Sequence, residues 1–271
     1  VLLVHGWAGS KDTWGPLPEA LAAAGFRAVA VDLPGWGESA DGRGHPHRPD
    51  SYAASLGPLV RRVGPVGLVA HSMGVQVALL LAQAGARVGH LVLLSPPVLP
   101  VESVTFPPRT LVDLVTLPAV GIPAARVAMA LMKRRPPAPE TRYRRTVGDP
   151  AILRSQAARD LIERSERLFA STPTRVMARS LRATALADMR PVAAGVAQPT
   201  LVVSGGRDRV VHPVEADILA RLLPDARLLR IATSGHLPHL EAADRVLPEI
   251  VAHLAAYLAP AGGPGASEGP E

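Results

Sequence analysis

Three polar residues, far apart in the chain, stand where each could take part in one reaction. The stretch "LVAHSMG" puts Ser72 after an apolar strand-like run and directly before a helical one, with the small residues Ala70 and Gly74 two positions away on either side. A side chain on so sharp a turn projects from the carboxyl edge of a sheet, where open α/β sheets hold their ligands. A serine hydroxyl becomes a nucleophile beside a base, and the base is held in place by an acid. "SGGRDRVVHP" supplies Asp208 just past another strand-like run, and "TSGHLPHLE" supplies His236 after the last one. A loop Asp is ordinarily a turn residue and a loop His is ordinarily solvated, so each alone says little. Each of the three follows a strand that should deliver it to one edge. His239 is a rival base, but the glycine before His236 favours the latter.

Acyl transfer to serine develops an oxyanion that fixed backbone N–H groups stabilise, and losing one donor costs about a hundred- to thousandfold in rate. The Met73 amide is one candidate, because N–H groups at a helix start lack intrahelical partners. The Trp7 amide, in the loop after "VLLVHG", is the other. His5 is expected to shape that loop, and Asp32 in "VDLPGWGES" to organise a turn. His71 should point into the packing around Ser72 and Trp14 into the core. Trp36 should either line a pocket or cover the sheet edge.

Positioning these residues requires a sheet. The runs 1–4, 27–32, 66–71, 90–95, 199–205 and 226–232 read as strands, several of them apolar throughout, as in strands covered on both faces. Helical patterns lie near 14–24, 51–63, 73–86, 213–223 and 241–258, an alternation that indicates a parallel sheet with right-handed crossovers. From Val98 to Gln198 no convincing strand occurs. Helical patterns replace it, including one over 151–170. Apolar positions there, among them Leu111, Leu114, Val115, Val127, Met129 and Leu131, should pack inward or line an acyl pocket. The last dozen residues, "PAGGPGASEGPE", have the composition of a disordered tail.

Composition narrows the function. The chain has 271 residues, 48% apolar and 19% charged, as a globular protein does. It has no cysteine, which excludes disulfides and thiolate metal sites. Its longest apolar candidate, 111–132, is broken by Asp113, Pro118, Gly121, Pro123 and Arg126, so no membrane span is expected. No basic leader with a cleavage site is visible, which points to a cytoplasmic protein. The net charge is +6, and residues 98–198 carry 16 Lys+Arg against 8 Asp+Glu. That excess suits either a solvated helix surface or an acidic carrier protein as partner. Aromatic residues, at 3%, are too few for a base-stacking surface, so no nucleic acid is expected.

The segments "LLVHGW", "VDLPGWGES", "AHSMG", "GGRDRVV" and "SGHLPHLE" resemble the α/β-hydrolase superfamily, in its capped, carboxylesterase-like serine-hydrolase branch. The resemblance implies a mostly parallel sheet with helices on both faces, built from 1–97 and 199–259. It also implies a helical cap over 98–198 and a tail over 260–271. Nucleophile, acid and histidine follow in the family's chain order, so it implies a Ser72–Asp208–His236 triad with an oxyanion hole from Trp7 and Met73. The activity implied is hydrolysis of small to medium carboxylic esters through an acyl-enzyme, with no metal or organic cofactor. The alternatives are hydrolysis of a carbon–carbon bond or carrier thioester by the same triad, and a ligand receptor with vestigial turnover. Ala70 and Val75 stand where many relatives have glycine, and the first strand corresponds to the family's third, the usual opening strands being absent or not included; if absent, "RAVAVD" would be an exposed sheet edge. A serine nucleophile disfavours the dehalogenase and epoxide-hydrolase branches, which attack with a carboxylate.

Overall fold

The computed structural model describes residues 1–42, 44–63, 66–100, 109–134, 136 and 143–258; the expected tail over 260–271 lies outside them. Six parallel strands form one sheet: β1 (Leu2–Val4), β2 (Val29–Val31), β3 (Val66–His71), β4 (Val88–Leu94), β5 (Thr200–Gly205) and β6 (Ala226–Ile231). Their order is β2-β1-β3-β4-β5-β6, so β2, the "RAVAVD" strand, is an edge. β3 and β5 are buried at every position, which is why they read as unbroken apolar runs.

Alternation along the strands divides the core in two. Val4, Leu68, Ala70, Leu91, Leu93 and Val202 face a cluster that includes α2 (Pro49–Val63), α3 (Met73–Gln83) and α9 (Val214–Leu222). Leu3, Val69, Val92, Leu94, Leu201 and Val203 face α1 (Leu17–Ala23) and α11 (Ala243–Leu258). Register fixes the working edge. Val4 pairs with Ala70, His71 with Leu94 and Leu94 with Val203, so the loops after these strands open side by side.

Among the described residues no strand interrupts the section between β4 and β5. It holds α4 (Arg109–Thr116), α5 (Gly121–Arg134), a 3-10 turn (Pro150–Arg154), α6 (Gln156–Ser171), α7 (Thr174–Leu186) and α8 (Arg190–Ala193). The single helix expected over 151–170 is divided at Ser155, whose extended backbone stops the turn while its hydroxyl accepts from the Ala158 N–H (3.2 Å) and starts α6. Leu111, Val115 and Met129 are buried in the same cluster as Met73, Trp36 and Val176. Val127 and Leu131 depart from the inward packing expected of them. They stand 62% and 58% exposed on the outer side of α5. No helix among the described residues is long and apolar enough to cross a membrane.

The start of α3 lies against β1. A Cβ on Gly74 would sit 2.3 Å from the Val4 carbonyl oxygen and 2.7 Å from that of His5, so only glycine fits. Gly57, inside α2, differs: its added Cβ would meet the movable end of Arg61 at 3.2 Å. Gly74→Ala is therefore expected to cost about 1–3 kcal/mol of stability. Gly57→Ala should add about 0.5–1 kcal/mol through helix propensity. Melting temperatures moving in opposite directions, by roughly 2–4 °C per kcal/mol, check the pair.

Where the chain leaves β4, Glu215 of α9 holds it. Glu215 Oε2 accepts from the Val98 N–H (2.7 Å) and the Leu99 N–H (2.9 Å), while Oε1 is buried without a hydrogen bond. Burial pushes this carboxyl up to about 7, the two N–H bonds oppose the rise, and the charge of Asp208 adds to it. A carboxyl raised in the folded state contributes stability that is complete below its unfolded value and is lost as pH rises through the folded one. Stability should thus fall by about 3 kcal/mol between pH 4.5 and pH 8 on this account. In Glu215→Gln the pH slope of unfolding free energy over that window should flatten, whatever the baseline cost.

Candidate active site

Ser72 sits between the last residue of β3 and the first of α3 with φ 52° and ψ −123°. A non-glycine residue held at positive φ costs on the order of 1–3 kcal/mol and persists only where the surroundings enforce it. The enforcement is visible: the Ser72 N–H donates to the Leu94 carbonyl (2.9 Å), and α3 begins one residue later. Serine at a helix start normally caps the helix with its hydroxyl. Ser72 does not, and among the described residues its hydroxyl makes no hydrogen bond. Space beside it is kept by Gly6, where an added Cβ would lie 2.8 Å from the Ser72 Cβ. The amides of Met73 and Trp7 likewise donate to nothing among the described residues.

Asp208 lies in the loop after β5, buried at 7% exposure. Its Oδ1 accepts from the Val210 (2.8 Å) and Val211 (3.0 Å) N–H groups, and its Oδ2 lies 2.8 Å from His236 Nδ1. In a neutral ring a carboxylate acceptor at Nδ1 favours the proton there over Nε2, the tautomer a general base needs. His236 is itself fastened through its backbone. Its N–H donates to the Thr146 carbonyl (2.6 Å), while its carbonyl accepts from His71 Nε2–H (2.9 Å) and the Ser95 hydroxyl (3.1 Å). His71 is the chain neighbour of Ser72, so one residue joins the candidate nucleophile to the candidate base.

The rival His239 is fully buried, its Nε2 3.3 Å from the Thr13 carbonyl and its ring 5.5 Å from Trp14. Burial drives its pKa down to about 4. Among the described residues no carboxylate bonds its ring, whereas Asp208 bonds that of His236. His5 accepts the Leu33 N–H at Nε2 (3.1 Å), which places its proton on Nδ1 and directs it to the Gly6 carbonyl (2.7 Å). Burial lowers its pKa too, so it braces the loop as a neutral ring. Asp32 accepts the N–H groups of Lys11 (2.7 Å) and Glu38 (2.9 Å), organising two loops. Trp36 is buried, donates to the Tyr52 hydroxyl (2.9 Å) and meets Trp7 edge-on at 6.1 Å, so it backs the Trp7 loop.

Sequence reasoning placed His71 in the packing but missed its hydrogen bond, and it passed over Ser95 and Glu241. These residues act on backbone atoms of the His236 loop, and no spacing rule marks them. Trp7 also reaches outward, its Nε1–H donating to the Met177 carbonyl (3.0 Å) of α7. A cavity of about 900 Å³ lies among the helices between β4 and β5, bordered by Arg144, Asp149, Arg154, Arg159, Glu163 and Glu166; Ser72 is not among its walls. Among the described residues no three His, Asp or Glu side chains gather where they could hold a metal ion.

Residues 1–249 match the alpha/beta hydrolase family. Among curated relatives, the pimeloyl-acyl-carrier-protein methyl ester esterase of Nitrosospira multiformis is 29% identical, over 93% of this chain and 92% of that protein. Its counterpart from Stenotrophomonas maltophilia is 26% identical, over 97% and 95%. Among solved structures, a thermophilic esterase from Thermogutta terrifontis superposes with a TM-score of 0.74 at 26% identity, covering 94% of this chain and 89% of that one. The chain therefore belongs to the alpha/beta hydrolase family, as an ester-acting hydrolase.

Proposed function

We propose that the ester is cleaved by Ser72, with His236 as base and Asp208 as its orienting acid. The observation that carries this reading is the buried His236–Asp208 pair, tied by its backbone to His71, the residue beside a strained serine whose hydroxyl bonds to no described residue. His236 Nε2 takes the hydroxyl proton as Ser72 Oγ attacks the ester carbonyl. Asp208 keeps the second ring proton on Nδ1 and stabilises the imidazolium that forms. The unclaimed amides of Trp7 and Met73 receive the oxyanion. His236 then protonates the leaving alcohol, and water, activated by the same ring, releases the acid.

In this reading residues 98–198 form a lid on the core built from 1–97 and 199–259. The substrate is a small to medium acyl ester, presented by an acidic carrier protein in the cytoplasm. Two features support the carrier. The excess of Lys+Arg over Asp+Glu lies in 98–198. The curated relatives from Nitrosospira and Stenotrophomonas are named for an acyl-carrier-protein ester. Arg142, expected beside Arg144 and Arg145 on the same surface, lies outside the described residues.

A fluorophosphonate probe should label the protein at Ser72. Ser72→Ala should abolish labelling and lower ester turnover by about 10⁴-fold or more, with Asp208→Asn losing about 10⁴-fold through the wrong tautomer. Labelling without turnover on any ester would instead support the receptor alternative. For the carrier, Arg144→Glu with Arg145→Glu should cut kcat/KM on a carrier-bound ester about tenfold, and more at low salt. A small neutral p-nitrophenyl ester should be hydrolysed at the parent rate. Equal losses on both substrates would remove the carrier from the proposal.

A further inference from the structure

The loop that carries His236 is gripped by a carboxylate that the reaction does not use. Glu241 ends the short helix α10 (Pro238–Glu241), five residues past His236. Its Oε1 accepts from the Gly235 (3.0 Å) and Leu237 (3.2 Å) N–H groups, and its Oε2 from Gly235 (3.0 Å) and Gly148 (2.6 Å). Gly235 and Leu237 are the two chain neighbours of His236. Gly148 belongs to a separate strand of chain, 143–149, in the section between β4 and β5. One side chain therefore holds the peptide groups on both sides of the candidate base and fastens them to a third segment.

The segments meet without room for side chains. A Cβ on Gly148 would lie 2.2 Å from the Thr233 carbonyl oxygen. One on Gly235 would lie 2.5 Å from the Gly148 nitrogen, and one on Gly205 1.9 Å from the Gly235 oxygen. The His236 N–H adds a fourth tie, to Thr146. Backbones packed this closely have no side-chain apolar contact to hold them, so polar bonds must. Three N–H donors converging on a partly buried site need an acceptor with two oxygens. An ionised carboxylate supplies both, and charge makes such bonds stronger than neutral ones. Burial works the other way and raises the Glu241 pKa, while the backbone bonds lower it.

We propose that Glu241 is a positioning residue for His236, setting the ring against Asp208 by clamping residues 235–237 to 146–148. The inference rests on His236 being the base. It assigns Glu241 no contact with substrate. Its effect is on geometry, where a displacement near 1 Å can cost about a hundredfold in rate.

Glu241→Gln keeps the shape but offers one acceptor oxygen and turns an N–H₂ group toward N–H donors. Glu241→Ala removes both acceptors. On a p-nitrophenyl ester, kcat should fall about 10- to 100-fold in Glu241→Gln, with KM within twofold of the parent, and further in Glu241→Ala. The downfield proton resonance of His236 Nδ1–H bonded to Asp208, assigned by its loss in His236→Gln, should broaden or move in Glu241→Gln while the protein still melts cooperatively. An unchanged kcat, or a fallen kcat with that resonance unmoved, overturns the proposal. Should Glu241→Ala fail to fold, Glu241→Gln alone decides. Ester turnover that survives in His236→Gln would defeat the base assignment instead, and the resonance would still report whether Glu241 positions the ring.

Discussion

The site depends on two stretches of backbone passing closer than side chains permit. The first turn of α3 runs beneath the end of β1, where Gly74 sits within reach of the Val4 and His5 carbonyls, and Gly6 passes beside Ser72. Helix and strand can meet there only if both positions lack a Cβ. Once they meet, the chain has a single residue in which to turn from β3 into α3, and Ser72 takes the strained conformation that results. The strain raises the hydroxyl off the helix it would otherwise cap. The Met73 amide, at the first position of α3, has no intrahelical partner, and neither it nor the Trp7 amide donates to any described residue.

A second constraint concerns charge. Three histidine rings lie in a row, with His71 4.7 Å from His236 and 5.4 Å from His239. Two imidazolium ions at such distances in a buried site would repel strongly. His71 and His239 each have a backbone carbonyl on one nitrogen and nothing on the other, and burial lowers the pKa of both. Of the three, only His236 has a carboxylate on its ring among the described residues, that of Asp208. His71, held neutral by burial, is a fixed Nε2–H donor to the His236 carbonyl.

What could be read from the chain divides along the same physical line. The strands were legible because apolar side chains must fill both faces of the sheet. The places of Ser72, Asp208 and His236 in the fold were legible because each follows a strand and so arrives at one edge. The helix break at Ser155 was not, since apolar periodicity runs on past it and only the local cap separates turn from helix. Val127 and Leu131 show the limit of periodicity: it finds an apolar stripe but not the neighbour that covers it, and among the described residues these two stand exposed. Ser95, Glu215 and Glu241 were missed because they bond to peptide groups. A peptide acceptor or donor exists at every residue, so the partner carries no sequence mark, and Glu215 meets Val98 across 117 positions.

Three segments at this edge share a design: each sends one side chain to the backbone of the section between β4 and β5. The loop after β1 sends Trp7 to the Met177 carbonyl. The segment after Asp208 sends Glu215 to the Val98 and Leu99 amides, and the segment after His236 sends Glu241 to the Gly148 amide. Because the receiving groups are peptide atoms, the attachments survive replacement of the side chains around them. The helical section can therefore change its apolar and charged surface while the edge beneath keeps its geometry. Trp7, Glu215 and Glu241 are different, since each ties the section to a segment that carries a candidate site residue.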